Sequence, residues 1–388
     1  MAESGDGFAA PERLHALDAV RGFALLLGVV YHATISFIPS PVKIWIVEDS
    51  HRSTALALLF FIIHVFRMTT FFLIAGIFAH MSFHRRGAKG FIQDRLKRIA
   101  LPLLLGWPLV FAAILAVGAW AATPPRPWPT FPKFPLTHLW FLYVLLEFYI
   151  AVLVLRAGVV MVDKTGRLRR SVDSLVALVM RNPLAPVFLA VPVGIAFVAD
   201  PKWLMWFGVK TPDSSFVTNA QAWIGYGMAF GFGWLLHRQM ALIRMMEQRW
   251  ILNLLFAIGI IAVSIAIASA APLLPISGYA TKLSGAACYA LATWTTTFAV
   301  IGLALRYMSG FSATRRYIAD ASYWIYIIHL PIVMALQVAV SRLDWPWPVK
   351  FAAILAVAFP LMFASYQLLV RYSVRGAVLN GRRLRKPA

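Results

Sequence analysis

Long apolar runs separated by short charged stretches repeat along this chain, and each run is long enough to be read as a bilayer-spanning helix. Ten such segments are predicted: 17–38, 54–82, 95–121, 138–162, 184–200, 217–237, 250–271, 282–307, 316–340 and 348–371. Pro102 and Pro108 are expected to kink the third, and Pro192 interrupts the short fifth. Lys and Arg collect on alternate linkers. The stretch 83–98 holds six, 163–183 five and the tail from Arg371 six, whereas each linker on the other side holds one or two. By the positive-inside rule the basic side is cytoplasmic, and both termini fall there. The expected layout is a cytoplasmic segment 1–16, one transmembrane domain over 17–371, and a basic cytoplasmic tail 372–388. The fold class is an all-α, polytopic integral membrane protein.

Composition agrees with that pattern. The chain is 61% hydrophobic and 13% charged, with a mean hydropathy of +0.75. The polar start MAESGDGFAAPER does not read as a cleavable signal, and none is expected. A net charge of +21 on a soluble protein would point to nucleic acid, but here the charge follows topology, so no nucleic-acid partner is expected. The one cysteine, Cys288, excludes a disulfide framework. No linker is long enough for an appended catalytic domain. The outer loop ATPPRPWPTFPKFPLT is Pro-rich and reads as a stiff, extended cover.

Against this apolar background the titratable residues stand out, because charge within a bilayer is costly and functional by default. The first segment, LDAVRGFALLLGVVYHATISFI, holds Asp18, Arg21 and His32. Arg21 and His32 are eleven residues apart, within roughly 20° of one line on a helix, and Asp18 lies within roughly 40° of it. One stripe thus carries an acid and a guanidinium at its cytoplasmic end and an imidazole about 16 Å further along. His64 and Arg67 share a face of the second segment near the midplane. His138 opens the fourth, with Glu147 about 14 Å deeper. His329 lies in the outer half of the ninth and Asp320 near its inner end. Each also has a structural reading: a lone membrane histidine often bonds neighbouring helices, Asp18 and Arg21 form an i,i+3 pair, and Arg67 is expected to pair with Glu147. His237 beside Arg238 reads as interfacial.

The basic run HRRGAKGFIQDRLKR, with Arg95 and Arg98, is either a topology anchor or a diphosphate clamp, since guanidinium groups grip phosphate bidentately. A clamp inside and an imidazole deeper within suit a phosphorylated donor with a long arm. Coenzyme A fits: its phosphates stay at the cytoplasmic face while its pantetheine arm spans the gap.

The spacing Arg21-x10-His32, followed in order by FRMTTFFLIAGIFAHMSF, RLKRIALP, HLWFL and ASYWIYIIHLP, resembles the membrane-bound acyltransferase-3 family. Within that family it resembles the branch containing glucans biosynthesis protein C, associated with succinylation of periplasmic glucans. The likeness runs from Leu17 to about Pro331. It implies functional roles for Arg21 and His32, with Arg67, Arg95 and Arg98 at basic positions of the pattern. Ala75 stands where the family often has serine, so no hydroxyl is required there. The resemblance implies no metal and no resident cofactor, and a multi-pass location in the bacterial inner membrane. Its partners are acyl-CoA (succinyl-CoA or acetyl-CoA) as donor, an extracytoplasmic glycan as acceptor, and membrane lipids.

The expected reaction is transfer of acyl from cytoplasmic acyl-CoA to a glycan hydroxyl arriving from outside. His32, Arg21 and Asp18 form the catalytic stripe, with His32 as general base or as an acyl relay. Arg67, His64, His138, Glu147 and His329 contact the substrates, and Arg67 is placed to bind a succinyl carboxylate. Trp128, Trp140 and Tyr143 offer stacking faces for sugar. The rival readings are a proton-coupled secondary transporter of a sugar or lipid-linked intermediate, and a structural partner of a glycan synthase.

Overall fold

The computed structural model describes residues 10–40, 43–124, 127–268 and 276–373, with 376 and 379. Residues 1–9 of the expected N-terminal segment, the last residues of the predicted helix 250–271, and nearly all of the tail 372–388 lie outside the described residues.

The described chain is helical: α1 (Ala10–Thr34), α2 (Thr54–Arg95), α3 (Leu101–Trp120), α4 (Trp140–Val162), α5 (Arg167–Arg181), α6 (Ala185–Ala199), α7 (Ala220–Leu236), α8 (Arg244–Gln248), α9 (Trp250–Ile267), α10 (Tyr279–Tyr307), α11 (Ala313–Ser341) and α12 (Trp347–Ser365). Among the described residues no strand forms, and an isolated bridge joins Lys133 to Ser215. Short polar side chains start several helices by accepting an otherwise unpaired N–H. Ser53 Oγ accepts from Leu56, Asn219 Oδ1 from Ala222, and Ser312 Oγ from Arg315.

Each of the ten predicted segments falls on helix among the described residues, and by length and composition fewer stretches qualify as spans. Among the described residues seven helical stretches are long and apolar enough to cross a membrane, or eight if the bent pair α5 and α6 is taken as one. The predicted 54–82 and 95–121 belong to one helical path, Thr54–Trp120, of 67 residues. At 1.5 Å per residue that is about 100 Å, over three times a bilayer core. The path is broken at Gly87, whose φ of +66° only glycine adopts readily. A π-helical turn, Leu96–Ala100, then leads into α3. The predicted 184–200 is α6, with 15 residues, and 217–237 is α7, with 17. Each is shorter than the roughly 30 Å apolar core. Helix α5 was expected only as a basic linker. It is amphipathic, with Leu168, Leu175 and Leu178 exposed among arginines, as suits a helix lying in the interface. It meets α6 at 108°.

Helix α1 runs through the middle, packed against α11, α2 and α10. The exterior is apolar on α3, α4 and α9, where Leu104, Leu109, Val154, Leu155, Leu255 and Phe256 are exposed. That is the inversion expected when lipid replaces water. The α2–α7 crossing is set by two glycines. A Cβ on Gly76 would sit 2.0 Å from the Phe230 carbonyl oxygen, and one on Gly233 would sit 2.0 Å from that of Leu73. Backbone meets backbone there, a contact available only to glycine. Near the start of α12, Lys350 Nζ lies 2.9 Å from both oxygens of Asp49, and both residues are buried.

Candidate functional site

Two cavities lie at opposite ends of the α1 stripe. The first, about 630 Å³, gathers His32 from α1, His64 and Arg67 from α2, His138 from the turn before α4, and His329 from α11. Four separate segments thus bring together five residues picked out on the sequence. The second, about 380 Å³, is lined by Asp18, Arg21, Arg85, Arg86, Asp94, Arg95, Arg98, Arg316 and Asp320, with Tyr149 and Tyr323.

Carbonyl groups fix the protons in the histidine cavity, because a carbonyl can only accept. His329 donates from Nδ1 to the Tyr326 carbonyl at 2.7 Å. In the neutral ring its Nε2 is therefore an acceptor, and it lies 3.0 Å from His32 Nδ1. His32 Nδ1 is also 2.8 Å from the Gly28 carbonyl one turn back. The Nδ1–H of His32 is shared by these two acceptors, which leaves Nε2 as its lone-pair nitrogen. His138 donates from Nε2 to the carbonyls of Tyr326 and Ile327, at 3.0 and 3.1 Å. His64 donates from Nε2 to Phe207 at 2.6 Å. Both keep a buried Nδ1 without a protein partner.

Gln337, two turns beyond His329 on α11, donates to the carbonyls of His32 and Ala33 at 2.9 and 3.2 Å. Its oxygen accepts from Trp45 Nε1 at 2.8 Å. That holds the Trp45 ring roughly parallel to His32, with centroids 6.1 Å apart. Arg67 lies over the Tyr31 ring at 4.7 Å, a cation–π contact. Its Nε is buried without a partner, and among the described residues no carboxylate forms an ion pair with it. Gly28 makes its place: a Cβ there would meet Arg67 Nη1 at 2.5 Å and His329 Nε2 at 4.0 Å. On the rim, desolvation holds the Asp213 carboxyl above its usual range, offset in part by its own backbone amide, Ser214 and Lys210.

The arginine cavity is organised by acids. Buried Asp94 bonds Arg86, Arg95 and Arg98, the last two at 3.1 Å. Arg95 is further held over the rings of Phe91 and Tyr149, at 5.0 and 5.2 Å. Asp18 bridges Arg21 at 3.1 Å and Arg316 at 3.6 Å, and Arg316 reaches Asp320 at 3.4 Å. The Asp18–Arg21 pair expected from spacing is present. Arginines outnumber carboxylates, so the cavity favours an anion.

Two expectations are corrected. Glu147 does not meet Arg67. Its carboxylate accepts from Thr218 Oγ1 at 2.6 Å, because α4 turns that face toward the loop before α7, and Glu147 lines neither cavity. Trp128 packs with Trp107, Phe111 and Phe134 away from the histidines. Tyr143 donates to the Phe216 carbonyl, and of the three expected stacking rings Trp140 alone lines the histidine cavity. The described end of the outer loop is tied to the loop before α7. Phe134 and Phe216 exchange backbone bonds with Ser214 and Pro132.

Sequence reading passed over Gly28, Asp94, Arg316, Trp45 and Gln337. Gly28 carried a signal, since it falls on the Arg21–His32 stripe. Asp94 did too, as the one acid in the run HRRGAKGFIQDRLKR. Trp45 carried none.

Residues 14–367 match the acyltransferase domain family Acyl_transf_3. Glucans biosynthesis protein C from Salmonella paratyphi B and from Salmonella heidelberg are each 30% identical to this chain over 142 residues, 34% of this chain and 36% of theirs. The matched part spans about a third of the length of these relatives. No solved structure matches the chain.

Proposed function

From the premise that this chain belongs to the acyltransferase domain family, we propose that it moves an acyl group across the membrane, from cytoplasmic acyl-CoA to a hydroxyl of an extracytoplasmic glycan. The names of its relatives favour a glucan as acceptor, and Arg67, with no acid partner among the described residues, suits a cargo that carries a free carboxylate, such as succinyl. Acyl-CoA binds with its phosphates on Arg95, Arg98 and Arg21, and its thioester reaches the histidine cavity. His32 Nε2 takes the proton of the acceptor hydroxyl as its oxygen attacks the thioester carbon. The new ester C–O bond forms, the C–S bond breaks, and the proton passes to the departing coenzyme A thiolate. Arg67 either faces the developing oxyanion or holds the free carboxylate of a succinyl group.

The observation that carries this reading is the orientation of His32. Its Nδ1–H is held by Gly28 and His329, so the lone pair is on Nε2, in a cavity that also holds an arginine with no acid partner among the described residues. The test is mass spectrometry of surface and periplasmic glycans from cells lacking the gene and from cells re-expressing wild type or His32→Ala. Acyl transfer predicts a succinyl or acetyl increment that returns with wild type alone. Unchanged increments with altered glycan location would favour a transporter and overturn the proposal.

A further inference from the structure

Leu25, Phe71 and Phe141 line both cavities. They come from α1, α2 and α4, and all three are buried, at 9%, 7% and 3% exposure. Phe71 and Phe141 meet edge to face, with centroids 4.5 Å apart. Phe141 also packs on Phe72 and Tyr326, at 4.9 and 5.8 Å. Leu25 falls on the stripe that carries Arg21 one turn before it and His32 about two turns after. The partition between the anion-binding cavity and the histidine cavity at this point is therefore one layer of apolar side chains.

We propose that Leu25, Phe71 and Phe141 form the port through which the thioester arm of the donor passes, and that their closed packing keeps water on the histidine side away from a waiting thioester. This inference rests on the acyl-transfer reading. The three side chains carry no polar side-chain atom, so no hydrogen bond is lost when they swing aside. A slender, unbranched arm fits a gap opened by such rotations, whereas the phosphates are held back by charge and by the arginines. When the port is shut, the thioester stays on the arginine side. When it opens without an acceptor in place, water attacks the thioester carbon, the C–S bond breaks, and the products are a free carboxylate and coenzyme A thiol. The port thus decides how much donor is wasted.

The experiment uses the full chain in liposomes, with acyl-CoA on one side and glucan on the other. Coenzyme A binding is measured separately by calorimetry in detergent. Leu25→Trp fills the port and is expected to bind coenzyme A like wild type while transferring about a hundredfold more slowly. Phe71→Ala thins the partition and is expected to release coenzyme A thiol without glucan acylation about tenfold faster than wild type. Transfer by Leu25→Trp at the wild-type rate overturns the port. If Leu25→Trp fails to bind coenzyme A through misfolding, Phe71→Ala decides, and an unchanged rate of wasteful thiol release overturns it. Failure of wild type itself to acylate glucan would overturn the acyl-transfer reading and the port with it. Transfer by wild type with both variants unaffected removes the port alone.

Discussion

His32 is set by two acceptors on one proton, and the consequences differ between them. The Gly28 carbonyl belongs to the helix and survives any side-chain change, whereas His329 Nε2 does not. Replacing His32 with Ala removes the base and is expected to lower transfer by about 10²–10⁴-fold. His329→Phe keeps the ring but removes the acceptor. The expected result is a smaller fall, confined to kcat, with KM for acyl-CoA unchanged because the donor head binds in the other cavity. A fall in affinity instead would mark His329 as structural. Gly28→Ala is a sharper probe. Its Cβ would collide with the far end of Arg67, a flexible group that yields at little cost to folding. Thermal stability should hold while transfer drops by about tenfold or more, since small misplacements at a reacting centre are expensive. At this scale the stripe was legible because helical spacing alone places Arg21 and His32 on one line. The Arg67–Glu147 pairing was not legible, because it depends on how α4 is rotated against α2. Thr218, in a loop, satisfied the acid instead.

Among the elements, α2 carries the most. It supplies His64 and Arg67 to one cavity and Asp94 and Arg95 to the other, and it crosses α7 backbone to backbone at Gly76 and Gly233. Alanine at Gly76 would press on a carbonyl that no rotamer change can move. The expected loss is about 1–3 kcal/mol or more of stability, read as a lower unfolding temperature in detergent. Asp94 acts on the turn that follows. Asp94→Asn removes the charge that gathers Arg86, Arg95 and Arg98. Coenzyme A affinity should fall about tenfold, near 1.4 kcal/mol, as measured by calorimetry. Helix existence was legible in the sequence because apolar runs of this length have few other fates. The break at Gly87 and helix α5 were not. A single glycine in a basic linker looks ordinary, and the apolar face of α5 is diluted by its arginines when averaged along the chain.

In the molecule as a whole, distant segments close the site. His138 bonds carbonyls of Tyr326 and Ile327, nearly two hundred residues further along the chain. No local pattern encodes such a meeting, so the cavities themselves were beyond sequence reading even though the histidines of one and several arginines of the other were named. Lys350 and Asp49 play a comparable closing role between α12 and the loop before α2. Lys350→Met would leave a buried carboxylate without its partner, at a cost of about 3–5 kcal/mol. Adding Asp49→Leu should recover part of it, and thermal unfolding of the single and double variants measures the coupling.

Arg21, Leu25, Gly28 and His32 stand on one unbroken helix, and that makes α1 a measuring rod. Helical rise fixes roughly 16 Å between the anchor for the donor's charged head and the base that awaits its thioester. In the proposed reaction the protein therefore gauges the carrier rather than the cargo. Acyl groups of different size, delivered on the same arm, arrive in register. The same acyl group on a shortened thiol stops short of His32, however well its head is held.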